Sequence, residues 1–259
     1  MPASMTFDEY LTVIEQNTAA LHDHAAACAP SDPVPSCPGW TVADLVEHHG
    51  GVCRWAATIV GEGRATNLSD AELAVVLTAP DGWEELLAWY TESTLALLGA
   101  LRTADDGPTL VFLRDAADPR LFWARRSAHE TTIHRLDVLA AGLGHLPTAT
   151  AAGISTELAL DGIDELLMGF VPRRTSALRA DEPIVVTVTP TDADRAWTVE
   201  IGAGPPVSSI GTATDPDAVL TGTAAAVYAG LWNRGDEIAE HGAAPVLGLW
   251  RDKVRVSWT

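Results

Sequence analysis

Near Pro172 the texture of the sequence changes. Before it, apolar residues recur at helical spacing through long segments; after it, short β-branched runs alternate with prolines and glycines. This predicts an α+β protein: an up-and-down four-helix bundle with an extra helix over 1–172, then a small α+β domain over 173–259. Thr6 and Glu9 form a capping-box pattern that opens a helix reaching about Cys28. Pro30, Pro33, Pro35 and Pro38 then make a stiff connection, because proline is excluded from helix interiors. Thr41 caps a second helix to about Val60, and Asp81 to Glu84 cap a third to about Leu101. A fourth runs from Pro119 to about Ala141, stopping at Gly142 and Gly144, and a fifth from about Ala151 to Phe170. Strands are expected at 183–189, 196–201, 217–220 and 254–258, with a helix over 223–232.

Charge excludes some functions. The 259 residues carry 16 Lys plus Arg against 35 Asp plus Glu, a net charge of −19. Such a chain repels phosphate backbones and anionic lipid, so neither nucleic acid nor membrane is an expected partner. Three cysteines (Cys28, Cys37 and Cys53), none in a C-x-x-C pair, fit a reduced cytoplasm better than a disulfide framework. The N-terminal segment lacks the basic and apolar regions of a signal peptide, and no apolar run approaches a membrane span. Lys253 is the one lysine; the other basic residues are arginine. With the abundant alanine, this points to a GC-rich, actinobacterial type of genome.

Two clusters can carry chemistry. On the fourth helix, His129 and His134 are five residues apart, about 140° around, which defeats a zincin-type H-E-x-x-H reading. Glu130 and His134 are four apart and share a face, so they can present an oxygen and a nitrogen to one ion. The alternative is an ordinary solvated Glu–His pair. On the second helix, Val42, Leu45, Val46, His49, Val52 and Ala56 form one stripe, which puts His49 nearer the buried centre and His48 at its edge. Either histidine can be a third ligand, and His49 with Cys53 forms a rival soft-metal pair; spacing leaves these open.

Cys37-Pro-Gly-Trp-Thr-Val-x-Asp-Leu-Val-x-His48, followed far downstream by Arg126-x-x-x-Glu130-x-x-x-His134-Arg-x-Asp137, resembles the mycothiol-dependent maleylpyruvate isomerase family, within the wider DinB-like metalloenzymes. The resemblance extends through Thr214 to Gly222 and Leu231 to Arg234 into a C-terminal region similar to sterol carrier domains. It implies His48, Glu130 and His134 as ligands of a divalent metal, zinc being the expected ion, with open positions for a thiol. His49 stands where the family usually has an apolar residue. Arg126, four before Glu130, is expected to hold that carboxylate, the alternative being a surface salt bridge. Asp137 is expected to orient an imidazole. Arg234 would help bind a carboxylate substrate, or merely offset a helix C-terminus.

The implied chemistry is attack of a metal-activated thiolate on a small electrophile, with mycothiol as cofactor or co-substrate. The product is an isomer, as with maleylpyruvate, or a thiol adduct, as in S-transferases. A monomer or homodimer is expected. The reading from another class is a non-catalytic small-molecule or lipid-binding protein that keeps the fold.

Overall fold

The computed structural model describes residues 5–105, 107, 109–113 and 118–254. The chain forms two compact units, divided between Leu146 and Pro147. In the first, four long helices make the bundle: α1 (Phe7–Ala26), α2 (Val42–Gly61), α4 (Trp83–Thr103) and α5 (Pro119–Leu143), with short α3 (Asp70–Val76) between α2 and α4. The expected caps form at Thr6 with Glu9 and at Thr41 with Asp44, each a reciprocal capping box. Asp81 does not cap α4: the N-cap is Gly82, without a side-chain bond. α3 also starts with a capping box, Ser69 with Glu72.

α2 packs most extensively on α4, and α1 on α5; α2 with α5 and α1 with α4 make the thinner contacts. Sequence neighbours α1 and α2 therefore stand at diagonal corners, as do α4 and α5. The diagonal crossings are made by the connections 27–41 and 104–118, and the adjacent α2 and α4 are joined by the α3-bearing connection 62–82. The α2–α4 pair is close because Gly50 lacks a side chain: a Cβ there would lie 2.2 Å from the Trp89 ring. Leu45, Val46, Leu86, Tyr90 and Val138 belong to one apolar core. α5 is buried without interruption from Phe122 to Val138, although this stretch carries seven charged or imidazole side chains. Buried charge is costly unless paired, so this stretch is where function is to be sought.

The second unit contains α6 (Ala149–Ala152), α7 (Thr156–Asp164) with a π-helical continuation over Glu165–Phe170, strands β1 (Ile184–Pro190), β2 (Trp197–Ile201), β3 (Val207–Ile210), β4 (Ala218–Gly222) and β5 (Ala239–Gly242), and helices α8 (Ala224–Leu231) and α9 (Val246–Lys253). The sheet order is β3-β2-β1-β4-β5; β1 and β4 are parallel, and the other neighbours antiparallel. Register places Val186 opposite Val199 and Ala218, and Val188 opposite Trp197 and Leu220, so one face buries these side chains together. α7 packs on α8, and the buried Asp164 accepts from Arg195 (3.1 Å) and from Trp197 Nε1 (3.0 Å).

The segment expected as a fifth bundle helix thus lies in the sheet-bearing unit, and the unit boundary falls before it rather than at 172/173. It is also split, because Gly153 adopts a left-handed conformation (φ 59°) and Ser155 caps a new helix. β3, β5 and α9 are elements without a sequence expectation. The strand expected at 254–258 lies, beyond Val254, outside the described residues. Among the described residues, no helix is long and apolar enough to cross a membrane.

Candidate metal centre

Two adjacent helices of the first unit supply the site. On α5, one helical turn separates Glu130 from His134, and both are buried. His134 Nε2 lies 3.1 Å from Glu130 Oε1. Arg126, one turn earlier, donates from Nη2 to the other oxygen, Oε2, at 2.7 Å. The far ring nitrogen of His134, Nδ1, lies 3.0 Å from Asp137 Oδ2. Ser36, in the connection before α2, donates to Asp137 Oδ1 at 2.5 Å. A chain of contacts therefore runs from Ser36 through Asp137, His134 and Glu130 to Arg126.

From α2, His48 reaches the same place. Its ring centroid is 5.2 Å from that of His134 and 4.9 Å from that of Trp40. One donor atom from each of His48, Glu130 and His134 lies within 4.8 Å of the others, and this is the one such cluster of three among the described residues. His49 turns inward instead. It is 1% exposed, its ring is 5.5 Å from Tyr90 and 5.3 Å from His134, and its Nε2 is 3.9 Å from Cys53 Sγ. No third donor joins His49 and Cys53 to make a cluster among the described residues.

The electrostatics divide the groups sharply. Burial, reinforced by the nearby charge of His134, lowers the His48 pKa to about 4, so its imidazole is neutral at pH 7. His49 is likewise held neutral, chiefly by burial. Burial also opposes charge on Glu130, but Arg126 and His134 overcome it and keep the carboxyl below its usual range. For His134, burial again favours the neutral ring, yet hydrogen bonds to Asp137 and Glu130 raise its pKa to about 9. Burial, with the Glu130 charge, pushes the Cys53 thiol far up, so it is no ready thiolate.

The donor set fits a divalent ion of the zinc type. Two imidazole nitrogens and one carboxylate oxygen converge, as in catalytic sites that keep an open position. Asp137 stands on the Nδ1 nitrogen of His134, where an acceptor fixes the ring and raises its basicity. Arg126 is 2% exposed, so its pair with Glu130 is not a surface salt bridge. It touches the carboxylate and leaves Oε1 facing His134.

Comparison with known proteins identifies the family. A model of the mycothiol maleylpyruvate isomerase N-terminal domain matches residues 11–139, and a model of the family's C-terminal domain matches 157–248. The chain belongs to the mycothiol-dependent maleylpyruvate isomerase family. The family's N-terminal domain takes in Ser36, His48, Arg126, Glu130, His134 and Asp137, and its C-terminal domain begins at α7, consistent with the unit boundary. A crystal structure of the mycothiol-dependent maleylpyruvate isomerase matches with a TM-score of 0.60 and 16% identity, over 93% of this chain and 95% of that one. That of a histidine-to-alanine mutant of the isomerase matches with 0.61 and 15%, over the same shares. At such identity the likeness carries the fold. No curated protein matches the sequence.

The remaining candidates separate. Arg234, in the second unit, follows α8; its backbone N–H donates to the Ala229 carbonyl (2.7 Å) and its Nη1 to that of Trp232 (2.9 Å). His129 is buried, with its ring 6.5 Å from that of Tyr10 on α1. Ser36 went unnoticed in the sequence. It is 101 positions from Asp137, and no local pattern could signal the contact.

Proposed function

We propose that the protein is a metal-dependent, mycothiol-dependent isomerase acting on a small unsaturated acid of the maleylpyruvate type. The observation that carries this reading is the convergence of His48, Glu130 and His134, backed by Asp137, in a chain of this family. His48, Glu130 and His134 would hold the ion. A divalent cation held by these residues would lower the pKa of a bound thiol, making a thiolate available at neutral pH. The thiol's own chemistry is reversible addition to an activated cis double bond, which permits rotation before it departs.

The chain's residues have separate tasks. His48 is neutral at pH 7 and offers a lone pair without losing a proton. Arg126 fixes one oxygen of Glu130, so that the other faces the site. Asp137 fixes the His134 ring through its distal nitrogen. Arg234 is assigned to binding the substrate carboxylate, and the reading places the enzyme in the cytoplasm with its thiol.

The test is metal analysis followed by turnover. Protein purified without chelator should carry about one divalent ion per chain, and His48→Ala or Glu130→Ala should abolish that content. With mycothiol, a cis-unsaturated oxo-acid should convert to the trans isomer without net thiol consumption. Net loss of thiol with a panel of electrophiles would identify an S-transferase instead. If no ion is bound or can be added back, the proposal fails.

A further inference from the structure

The 27–41 connection between α1 and α2 is strongly self-bonded. The Val42 amide donates to the Asp32 carbonyl (2.9 Å), the Ala43 amide to that of Pro30 (2.9 Å), and the Val34 amide to that of Trp40 (3.0 Å). The Ala29 amide donates to the Asp32 side chain (2.8 Å). Its last part, Cys37-Pro-Gly-Trp40, is a turn closed by the Trp40 amide on the Cys37 carbonyl (3.0 Å), with Gly39 at φ 91°. Proline second and a left-handed glycine third are the requirements of a type II turn. Val34 is buried and anchors the segment in the bundle core.

This stiff segment presents two side chains to the site from one piece of backbone. Ser36 donates to Asp137 Oδ1, while Asp137 Oδ2 contacts His134 Nδ1. Trp40, beyond the turn, sets its ring edge-on to His48, at 70° between planes. We propose that the 30–41 segment is a positioning element for the metal centre, acting on His134 through Ser36 and Asp137 and on His48 through Trp40. The inference rests on the metal reading above, and it assigns functions to Ser36 and Trp40 that the donor cluster alone does not require. Its physical basis is that ring orientation and basicity of a ligand histidine depend on the group beyond it. Asp137 can hold His134 only if Asp137 is itself held. Ser36 does so at a short distance, from a part of the chain that has no helical reason to be there.

The experiment measures metal affinity by competition with a chromophoric chelator, and the visible spectrum of the cobalt(II)-loaded protein. Wild type is compared with Ser36→Ala, Asp137→Asn, their double variant and Trp40→Leu. Ser36→Ala should weaken zinc affinity by about 10-fold and Asp137→Asn by about 10- to 100-fold. The double variant should be no weaker than Asp137→Asn alone, because Ser36 acts through Asp137. Ser36→Ala and Trp40→Leu should each change the cobalt spectrum, while thermal melting of metal-free Ser36→Ala stays as in wild type. Wild-type affinity and spectrum in both Ser36→Ala and Trp40→Leu would overturn the proposal, as would an additive double variant or a metal-free Ser36→Ala that melts early. Wild type that binds no metal would instead sink the metal reading itself, and this inference with it.

Discussion

Metal uptake should release one proton, and His134 should be its source. In the metal-free protein His134 is held protonated up to about pH 9 by Asp137 and Glu130, against the effect of burial. A proton on the ring must leave before both sides of it can serve, one for the ion and one for Asp137. His48, at about 4, has no proton to lose at neutral pH, and Glu130 is already ionised. From pH 7 to about 9 is about two units, so displacing the proton costs about 2.7 kcal/mol at pH 7. Apparent zinc affinity should therefore rise by about tenfold per pH unit between about 6.5 and 8.5 and level off above about 9. Titration calorimetry in buffers of different ionisation enthalpy counts the protons directly: about one per ion at pH 7, falling towards zero above pH 9. The Asp137→Asn variant should release distinctly less at pH 7, since the main group raising the His134 pKa is gone. Affinity that is flat from pH 7 to 8.5, with no proton released, would refute the assignment of charge within the site.

Linkage gives a second prediction. Because the folded pKa of His134 is raised above 6.5, its contribution to stability is complete below that value and is lost as pH rises through about 9; melting of the metal-free protein should show this loss. Arg126→Ala removes the guanidinium that pairs with the buried Glu130 carboxylate and should destabilise the metal-free protein by about 3–5 kcal/mol in urea unfolding. Gly50→Ala puts a methyl group 2.2 Å from the Trp89 ring, which cannot fold away; a loss of about 1–3 kcal/mol is expected, with weakened metal binding because His48 and His49 adjoin it. Thr41→Ala removes a capping box and should cost about 1 kcal/mol, whereas Asp81→Ala, beside an uncapped N-terminus, should stay within about 0.5 kcal/mol.

What could be read in advance was local. A capping box at Thr6, a cap at Thr41, helical spacing of apolar residues and β-branched strands are written within a few positions, and the structure follows them. The Glu130–His134 pair was legible for the same reason, being one helical turn. Longer-range facts were not. β5 is Ala-Glu-His-Gly, with no strand propensity of its own; it is a strand because β4 pairs with it. Helical phase set His49 at the buried centre and His48 at its edge, and that is how they lie. Phase could not show that α5 approaches the edge of that stripe. Burial was hidden too: spacing left a surface salt bridge open as the alternative for Arg126 and Glu130, and the pair becomes an interior one only when the bundle forms. Glycine and serine at 153–155 were signals of a helix break that the apolar pattern around them obscured.

The uneven packing of the bundle has a mechanical consequence. The two extensive pairs, α2 with α4 and α1 with α5, form two halves, and the links between halves are the connections 27–41 and 104–118. His48 belongs to one half, and Glu130 and His134 to the other. An ion held by all three would therefore stitch the thinner seam, not reinforce the thicker ones. Opening along that seam would break the fewest helix–helix contacts, so a metal-loaded bundle should resist local opening there more than a metal-free one.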